Sequence, residues 1–354
     1  AINALVLLVI GLLAIALSYR YYAAFLAAKV AVLDDSRATP AHTEEDGRDF
    51  QPTNRWVLFG HHFAAIAGAG PLIGPVLAAQ YGWRPGAIWI LLGSVFAGGV
   101  HDFIILVASV RQRGESLSKI AQRWQGTLSG TCTAISILFI IIIAIASLAI
   151  VVVNALKGSP WGTFTIAASI PIAFLMGQWL YRIRPGRVAE ASAIGVVLLL
   201  AAVLLGSPLQ HSSLAHWFTY SDKSLEVMLP IYGFIAAALP VWMLLVPRDY
   251  LSTYMKLGTV ALLAVGIFIV HPALRMPATT PWVRGGGPVV PGPVWPYVCI
   301  TIACGAISGF HSLIASGTTP KMITRESDIP LISYGAMVIE GGVALMALIA
   351  ACVL

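Results

Sequence analysis

Charged residues are scarce in this sequence. Only 10% of its 354 residues are Asp, Glu, Lys or Arg, whereas 58% are hydrophobic, and soluble domains carry roughly 25% charged residues. This composition excludes a soluble globular protein. Apolar runs of about 20 residues recur along nearly the whole chain, and each must be helical because lipid offers the backbone no hydrogen-bond partners. The sequence therefore predicts an all-α polytopic membrane protein.

Cysteine is scarce as well, and the four cysteines lie in or beside apolar runs without metal-like spacing: Cys132, Cys299, Cys304 and Cys352. We interpret them as buried thiols that act as small hydrophobic side chains. The pattern H-E-x-x-H of zinc proteases is absent. An initial Met and a small-residue cleavage site after the first apolar run are absent too, so we expect a true span and not a signal peptide.

Ten transmembrane spans fit the apolar runs, at 3–19, 56–80, 86–110, 131–156, 160–180, 188–206, 226–246, 257–273, 295–318 and 331–354. The chain ends inside an apolar run, and we expect further helices beyond it. The predicted organisation is an extra N-terminal transmembrane helix (1–33), a cytoplasmic polar loop (34–55), a first five-helix repeat (56–206) and a second, incomplete repeat (226–354).

The distribution of Lys and Arg predicts the orientation, because basic residues near span ends stay in the cytoplasm. Of 21 such residues, the odd-numbered loops hold 16: Arg20, Lys29, Arg37, Arg48, Arg55, Arg111, Arg113, Lys119, Arg123, Arg182, Arg184, Arg187, Arg248, Lys256, Lys321 and Arg325. The N-terminus is then predicted outside. The net charge of +6 follows from topology and requires no nucleic acid.

Two predicted spans contain helix-breaking residues. The stretch "FGHHFAAIAGAGPLIGP" (59–75) places Gly68, Ala69, Gly70 and Pro71 near the bilayer midplane, about 12 residues into the second span. Pro240 lies a little past the middle of the seventh span, which enters from the opposite side. Such a pair indicates a five-plus-five inverted repeat with discontinuous helices, a mark of secondary transporters. Alternatively, each could be an ordinary kink that lets helices pack closely.

Few ionisable side chains lie inside the predicted spans, and their depths agree. Counted from the cytoplasmic ends, they lie within roughly 8–14 Å of that boundary: His61, His62, His101, Asp102, His311 and Glu340. We expect one cluster that binds a proton, since a carboxylate tunes a neighbouring histidine. Two alternatives stay open: each side chain could pair with a backbone carbonyl, or His61, His62 and Asp102 could bind a metal ion.

The ninth span ends in the hydroxyl-rich stretch "ISGFHSLIASGTTPK". Its hydroxyls and the carbonyls of an unwound helix could cradle a cation or substrate. They could equally satisfy their own helix backbone, which is the commoner case.

Several long stretches closely resemble one family. They are "PTNRWVLFGHHFAAIAGAGPLIGPVLAAQ" (52–80), "SPWGTFTI" (159–166), "RPGRV" (184–188), "LPVWMLLVPRDYLSTYMKLG" (239–258) and "ITIACGAISGFHSLIASGTTPK" (300–321). They are similar to the carbon starvation (CstA) family of bacterial inner-membrane transporters. The resemblance implies proton-driven import of peptides and, for some members, pyruvate, on a LeuT-like fold whose broken helices would be 68–71 and the region around Pro240.

The resemblance also implies a cation site near a Ser/Thr-bearing helix, which would correspond to Ser316, Thr318 and Thr319. We assign these three residues and the six ionisable ones to the coupling ion, a proton in preference to Na⁺. Substrate binding is assigned to Gly68, Ala69, Gly70, Pro71, Pro240, Trp242 and Ser308.

The leading hypothesis is a multi-pass symporter of the bacterial inner membrane that is not an enzyme and requires no cofactor. Its substrate carboxylate would lie at the N-terminus of a half-helix, where free N–H groups attract anions. The alternatives are an intramembrane enzyme that binds a metal or haem, and a nutrient sensor on a transporter fold.

Replacement of Asp102 by Ala is expected to abolish proton-coupled uptake and to leave folding intact, because it removes the carboxylate that tunes the histidines. Uptake into vesicles under an imposed pH gradient measures the effect. Unchanged coupling in this variant would refute the proton relay.

Overall fold

The computed structural model describes residues 3–354, so the first two residues of the predicted segment 1–33 lie outside the described residues. Helices dominate this part of the chain, and it contains no β-strand beyond a single bridge between Asn3 and Ala273. The all-α prediction is confirmed.

We label thirteen helices within the described residues. They are α1 (Ala4–Val30), α2 (Arg55–Ile66), α3 (Gly70–Tyr81), α4 (Trp83–Arg111), α5 (Leu117–Gln125), α6 (Thr127–Leu156), α7 (Pro160–Ile183), α8 (Val188–Leu209), α9 (Asp222–Ala238), α10 (Leu245–Val270), α11 (Val294–Thr301), α12 (Gly309–Ala315) and α13 (Glu326–Val353). Shorter helical turns lie in the connections, at Pro40–Thr43, Ser213–Phe218, Pro281–Arg284 and Thr319–Lys321.

Seven of these helices are long and apolar enough to cross a membrane, and α2 with α3 forms an eighth candidate that is bent by 44°. The chain is thus a multi-pass membrane protein. The other two predicted spans coincide with shorter elements: α9 has 17 residues, and α11 and α12 have 8 and 7. Length and composition therefore do not confirm the count of ten.

The connections meet on two opposite faces. On one face Glu326 binds Arg111 at 2.8 Å and Arg37 at 3.2 Å, and Lys321 lies 3.5 Å from Asp49. The other face brings Asn3 to the carbonyl of His271 at 3.1 Å and Lys157 to Asp222 at 3.3 Å. The first, third, fifth and ninth predicted loops lie on the first face and the even-numbered ones on the second.

The turn around Pro240 lies in a different place from the one predicted. Helix α9 ends at Ala238 and α10 begins at Leu245, so Pro240 lies between two helices and not midway through a span. The turn packs on the polar loop, because the backbone N–H of Val241 donates to Arg48 and the indole of Trp242 donates to the carbonyl of Gly47 at 3.0 Å. The carbonyl of Arg48 thus accepts a backbone N–H that has no intrahelical partner, and the carbonyl of Gly47 fixes the Trp242 side chain.

Pro240 and Trp242 thus lie in a turn against the polar loop, and their role in substrate binding stays a prediction. Arg182 also lies over the Trp242 ring, with its Cζ 5.1 Å from the ring centroid, so Trp242 anchors the loop face. The seventh predicted loop is likewise wrong, because Arg248 and Lys256 are both inside α10.

Helix α13 lies at the centre of the bundle, and α6 at its edge. The most apolar stretch of α13 is 67% buried, whereas none of the corresponding stretch of α6 is buried. Helix α13 is therefore enclosed by the other described helices, whereas α6 is exposed along its length.

The segment between α11 and α12 crosses α3 at very short range. A Cβ atom added at Gly70 would lie 2.6 Å from the Cβ of Cys304, and one at Gly74 would collide with the carbonyl oxygen of Thr301. Glycine is required at both positions because no side chain fits between the two backbones. The crossing holds the two interrupted segments, 67–69 and 302–308, against each other.

Replacement of Gly74 by Leu is expected to lower the melting temperature of the detergent-purified protein by several degrees, since overpacking costs about 1–3 kcal/mol. The matched control is Gly258→Leu on the exposed face of α10, where an added Cβ meets no atom within 4 Å. Equal melting temperatures for the two variants would contradict the close crossing.

Candidate functional site

The second span is interrupted where the glycines predict it. Helix α2 ends at Ile66, and Ala67 has φ −80° and ψ 64°, outside helical geometry. Helix α3 begins at Gly70 with Pro71 in its first turn, a position that proline tolerates because its missing N–H would be unpaired there. The predicted break at 68–71 is confirmed, and its role in substrate binding stays a prediction.

Lys256 donates hydrogen bonds to backbone carbonyls at the end of α2, where the break removes their helical partners. Its ammonium donates to the carbonyl oxygens of Ala64 at 2.9 Å and Ala67 at 2.7 Å. The last carbonyls of a helix lack intrahelical partners and carry partial negative charge, so a cation from α10 is a fitting cap. Sequence analysis missed this residue because it placed Lys256 in a loop.

Buried ionisable side chains from α4, α12 and α13 meet next to the crossing segment 302–308. His311 of α12 places Nδ1 3.2 Å from Asp102 and Nε2 3.3 Å from Glu340. His101 adds a contact of 3.0 Å from its Nδ1 to Asp102. The side chains of Asp102, His311 and Glu340 are fully buried. The structure therefore brings together four of the six ionisable residues predicted to cluster.

Glu340 is the least satisfied member of this cluster. Both of its carboxylate oxygens are buried without a hydrogen bond within residues 3–354. Its Oε2 lies 3.3 Å from His311 Nε2 without hydrogen-bond geometry, and the cost of burying such a carboxylate falls if it holds a proton or if a cation lies beside it. The arrangement of one histidine between two carboxylates can accept and release a proton without exposing a charge to lipid.

Cys304 is a further neighbour that sequence analysis missed. Its sulfur lies 3.8 Å from His311 Nε2, and the donor atoms of Cys304, His311 and Glu340 all lie within 4.8 Å of one another. These three residues are not the trio predicted to bind a metal. Of that trio, His61 contacts Asp249, His62 contacts Thr319 and Asp102 contacts His311. In a continuous helix the seven-residue spacing would place Cys304 and His311 on one face but about 10 Å apart, and the non-helical segment 302–308 brings them to 3.8 Å.

His61 and His62 point in different directions, as consecutive helical residues must, because they are about 100° apart around the axis. His61 places Nδ1 2.9 Å from Asp249 of α10. His62 places Nδ1 2.9 Å from the hydroxyl of Thr319. The prediction of one cluster of six therefore fails for His61, which faces α10, and for His62, whose ring contacts Thr319 outside the cluster.

The predicted hydroxyl cradle is dispersed. Thr319 contacts His62, whereas Ser316 donates to the carbonyl of Ser312 in its own helix at 2.7 Å, which matches the alternative interpretation. Ser308 precedes α12 at the end of the crossing segment, and Thr318 is half-buried. A cation-binding role for these residues stays a prediction.

Comparison with known proteins agrees with the motifs. The family model described as carbon starvation protein CstA matches residues 3–354. The chain belongs to the CstA family. No solved structure matches it.

Curated relatives of this CstA-family chain are named as transporters. It is 51% identical to the peptide transporter CstA of Bacillus subtilis (strain 168), covering 99% of this chain and 58% of the relative. It is 49% identical to the pyruvate/proton symporter BtsT of Escherichia coli (strain K12), covering 100% and 49%. The peptide transporter CstA of the same E. coli strain is 50% identical, covering 100% and 50%. The chain thus spans about half the length of the curated relatives it matches.

In this CstA-family chain, replacement of Lys256 by Met is expected to lower the melting temperature in detergent. The substitution leaves the carbonyls of Ala64 and Ala67 unpaired, at a cost of about 1–3 kcal/mol for each buried group. Lys119→Met on the exposed side of α5 is the control. If the Lys256 and Lys119 variants melt together, the ammonium does not stabilise the break.

Proposed function

We propose that this chain forms the transport core of a bacterial inner-membrane symporter that imports peptides, pyruvate or both by alternating access, driven by protons. The observation that carries the proposal is the crossing of two interrupted helical segments beside a buried histidine between two carboxylates. Unwound backbone inside a membrane is tolerated where it lines a cavity or is packed in protein, and it is typical of secondary transporters. The names of the relatives supply the substrate classes.

The proton is assigned to the cluster of Asp102, His311 and Glu340. Histidine titrates near neutral pH, and the flanking carboxylates favour its charged form. With one proton added, the two carboxylates share a positive partner at 3.2 and 3.3 Å. Without it, two negative charges face each other in a fully buried space. Protonation therefore changes the electrostatic energy of the contact between α4, α12 and α13.

The topology within this proposal has ten crossings and a periplasmic N-terminus. The alternation of the connections between two faces supports ten crossings, with α9 as one crossing and α11 and α12 as another. The five-plus-five LeuT-like inverted repeat is part of the same proposal. In this repeat the second discontinuous helix is the one interrupted at 302–308, in place of the one expected at Pro240.

A second candidate is a metal-binding membrane protein, which the spacing of Cys304, His311 and Glu340 favours. Thiolate, imidazole and carboxylate are ligands that zinc accepts. Metal analysis and a visible spectrum of the purified protein distinguish this candidate, since stoichiometric bound metal would support it and its absence with intact transport would oppose it.

Reconstituted protein is expected to accumulate radiolabelled pyruvate or dialanine when an inward proton gradient is imposed, and a sodium gradient is expected to have no effect. The variant Glu340→Gln should lose gradient-driven accumulation and keep substrate exchange without a gradient, because it removes a proton site. Glu190→Gln, which changes a half-buried carboxylate paired with Arg184 outside the cluster, is the control.

Two results would contradict the proposal. Wild-type protein that transports neither substrate under any gradient would oppose transport itself. Glu340→Gln protein that accumulates substrate as the Glu190 variant does would remove the proton from this cluster.

A further inference from the structure

A cavity of about 360 Å³ opens beside the break in the second span. It lies between α10, α7, α8 and the end of α2, and its polar lining is Thr165, Ser169, Arg248, Asp249, Ser252 and Lys256. Its volume is within the range of small-molecule sites. Ala64, whose carbonyl binds Lys256, also lines the cavity, so the cavity and the helix break share a wall.

The charges in this lining favour an anion. Arg248 and Lys256 contribute two positive charges, and the carboxylate of Asp249 is already paired with His61 at 2.9 Å. The lining hydroxyls have their protons engaged: Ser169 donates to Ile166 at 2.7 Å and Ser252 to Asp249 at 2.9 Å. Cationic donors are thus the groups that remain for a negatively charged ligand.

Arg248 lines the cavity, and its guanidinium is incompletely paired within the described part of the protein. Its Nε is buried and has no hydrogen-bond partner within residues 3–354, and its guanidinium carbon lies 5.1 Å from the centroid of the Tyr232 ring. The aromatic face holds the planar group without consuming its N–H donors. A guanidinium presents its donors as a fork that matches the two oxygens of a carboxylate.

The half-helix N-terminus, which the sequence favoured for this task, is less suitable. The N–H groups of Leu72 and Ile73 in the first turn of α3 both donate to the carbonyl of Ala69, at 3.1 and 3.0 Å. Pro71 contributes no donor, and Cys304 closes over Gly70. The N–H groups of Leu72 and Ile73 are therefore engaged within the helix itself.

We propose that Arg248 binds the carboxylate of the transported substrate in this cavity, an inference that rests on the proposed transport function. The substrate class is a small carboxylate: a 2-oxo acid, or a short peptide held by its C-terminal carboxylate. Lys256 adds positive potential about 12 Å further along α10, by the helical rise over eight residues. Because its ammonium also caps α2, the cavity that holds the anion shares a wall with the group that stabilises the break.

Binding of radiolabelled pyruvate and dialanine to the purified protein, without any gradient, tests this assignment. The variant Arg248→Gln is expected to raise both dissociation constants by about tenfold or more, as for the loss of a hydrogen bond to a charged group. Arg248→Lys should fall between Gln and wild type, because it keeps the charge without the fork. Arg184→Gln, an exposed arginine outside the cavity, is the control with unchanged Kd.

A competition experiment on wild-type protein covers the case in which the Arg248 variants do not fold. Dialanine amide lacks the carboxylate and should compete at least tenfold more weakly than dialanine. An amide that competes as well as the free acid, or an Arg248→Gln variant that binds like wild type, would overturn the assignment while transport stands. Wild-type protein that neither binds nor transports either substrate would overturn both the assignment and the proposed function.

Discussion

The contact between Lys256 and the carbonyls of Ala64 and Ala67 is the one on which the interior depends. A helix that stops inside a membrane leaves backbone groups that neither water nor lipid can satisfy, and each is costly to leave unpaired. Here an ammonium from a neighbouring continuous helix supplies the missing donors. The break is therefore a stable feature of the fold, and its stability requires α10 to stay beside α2. The cavity between these helices follows from the same requirement.

The position of the second interruption depends on two glycines of α3. Residues 302–308 can lie against α3 only because Gly70 and Gly74 present no side chain, and that position brings Cys304 and His311 beside Asp102 and Glu340. The polar cluster is thus assembled by backbone proximity, and not by one helix that displays its residues in a row. Its buried position at the central helix α13 makes each charge in it expensive unless another charge or a proton balances it.

Sequence analysis located the elements that obey local rules. The break at 68–71 follows from glycine and proline chemistry, and the depth of Asp102, His311 and Glu340 could be counted from span ends. It failed where the span boundaries were misplaced. Residues 247–256 were assigned to a loop, but Arg248 and Lys256 lie inside a 26-residue helix. Pro240 was misplaced because "VWMLLV" is as apolar as a span, although tertiary contacts to Gly47 and Arg48 make it a turn. The spacing of Cys304 and His311 puts them on one helical face about 10 Å apart, and only the irregular backbone between them makes the direct contact.

The two adjacent histidines give α2 contacts on both sides. His61 reaches Asp249, which lines the cavity, and His62 reaches Thr319, four residues from the end of the helix that carries His311. A rigid helix that turns about its axis carries both rings with it, so neither contact changes alone. Thermodynamic linkage then requires equal coupling in both directions: if a ligand in the cavity shifts the rotation of α2 and with it the His62–Thr319 contact, a change at that contact shifts the affinity of the cavity by the same factor.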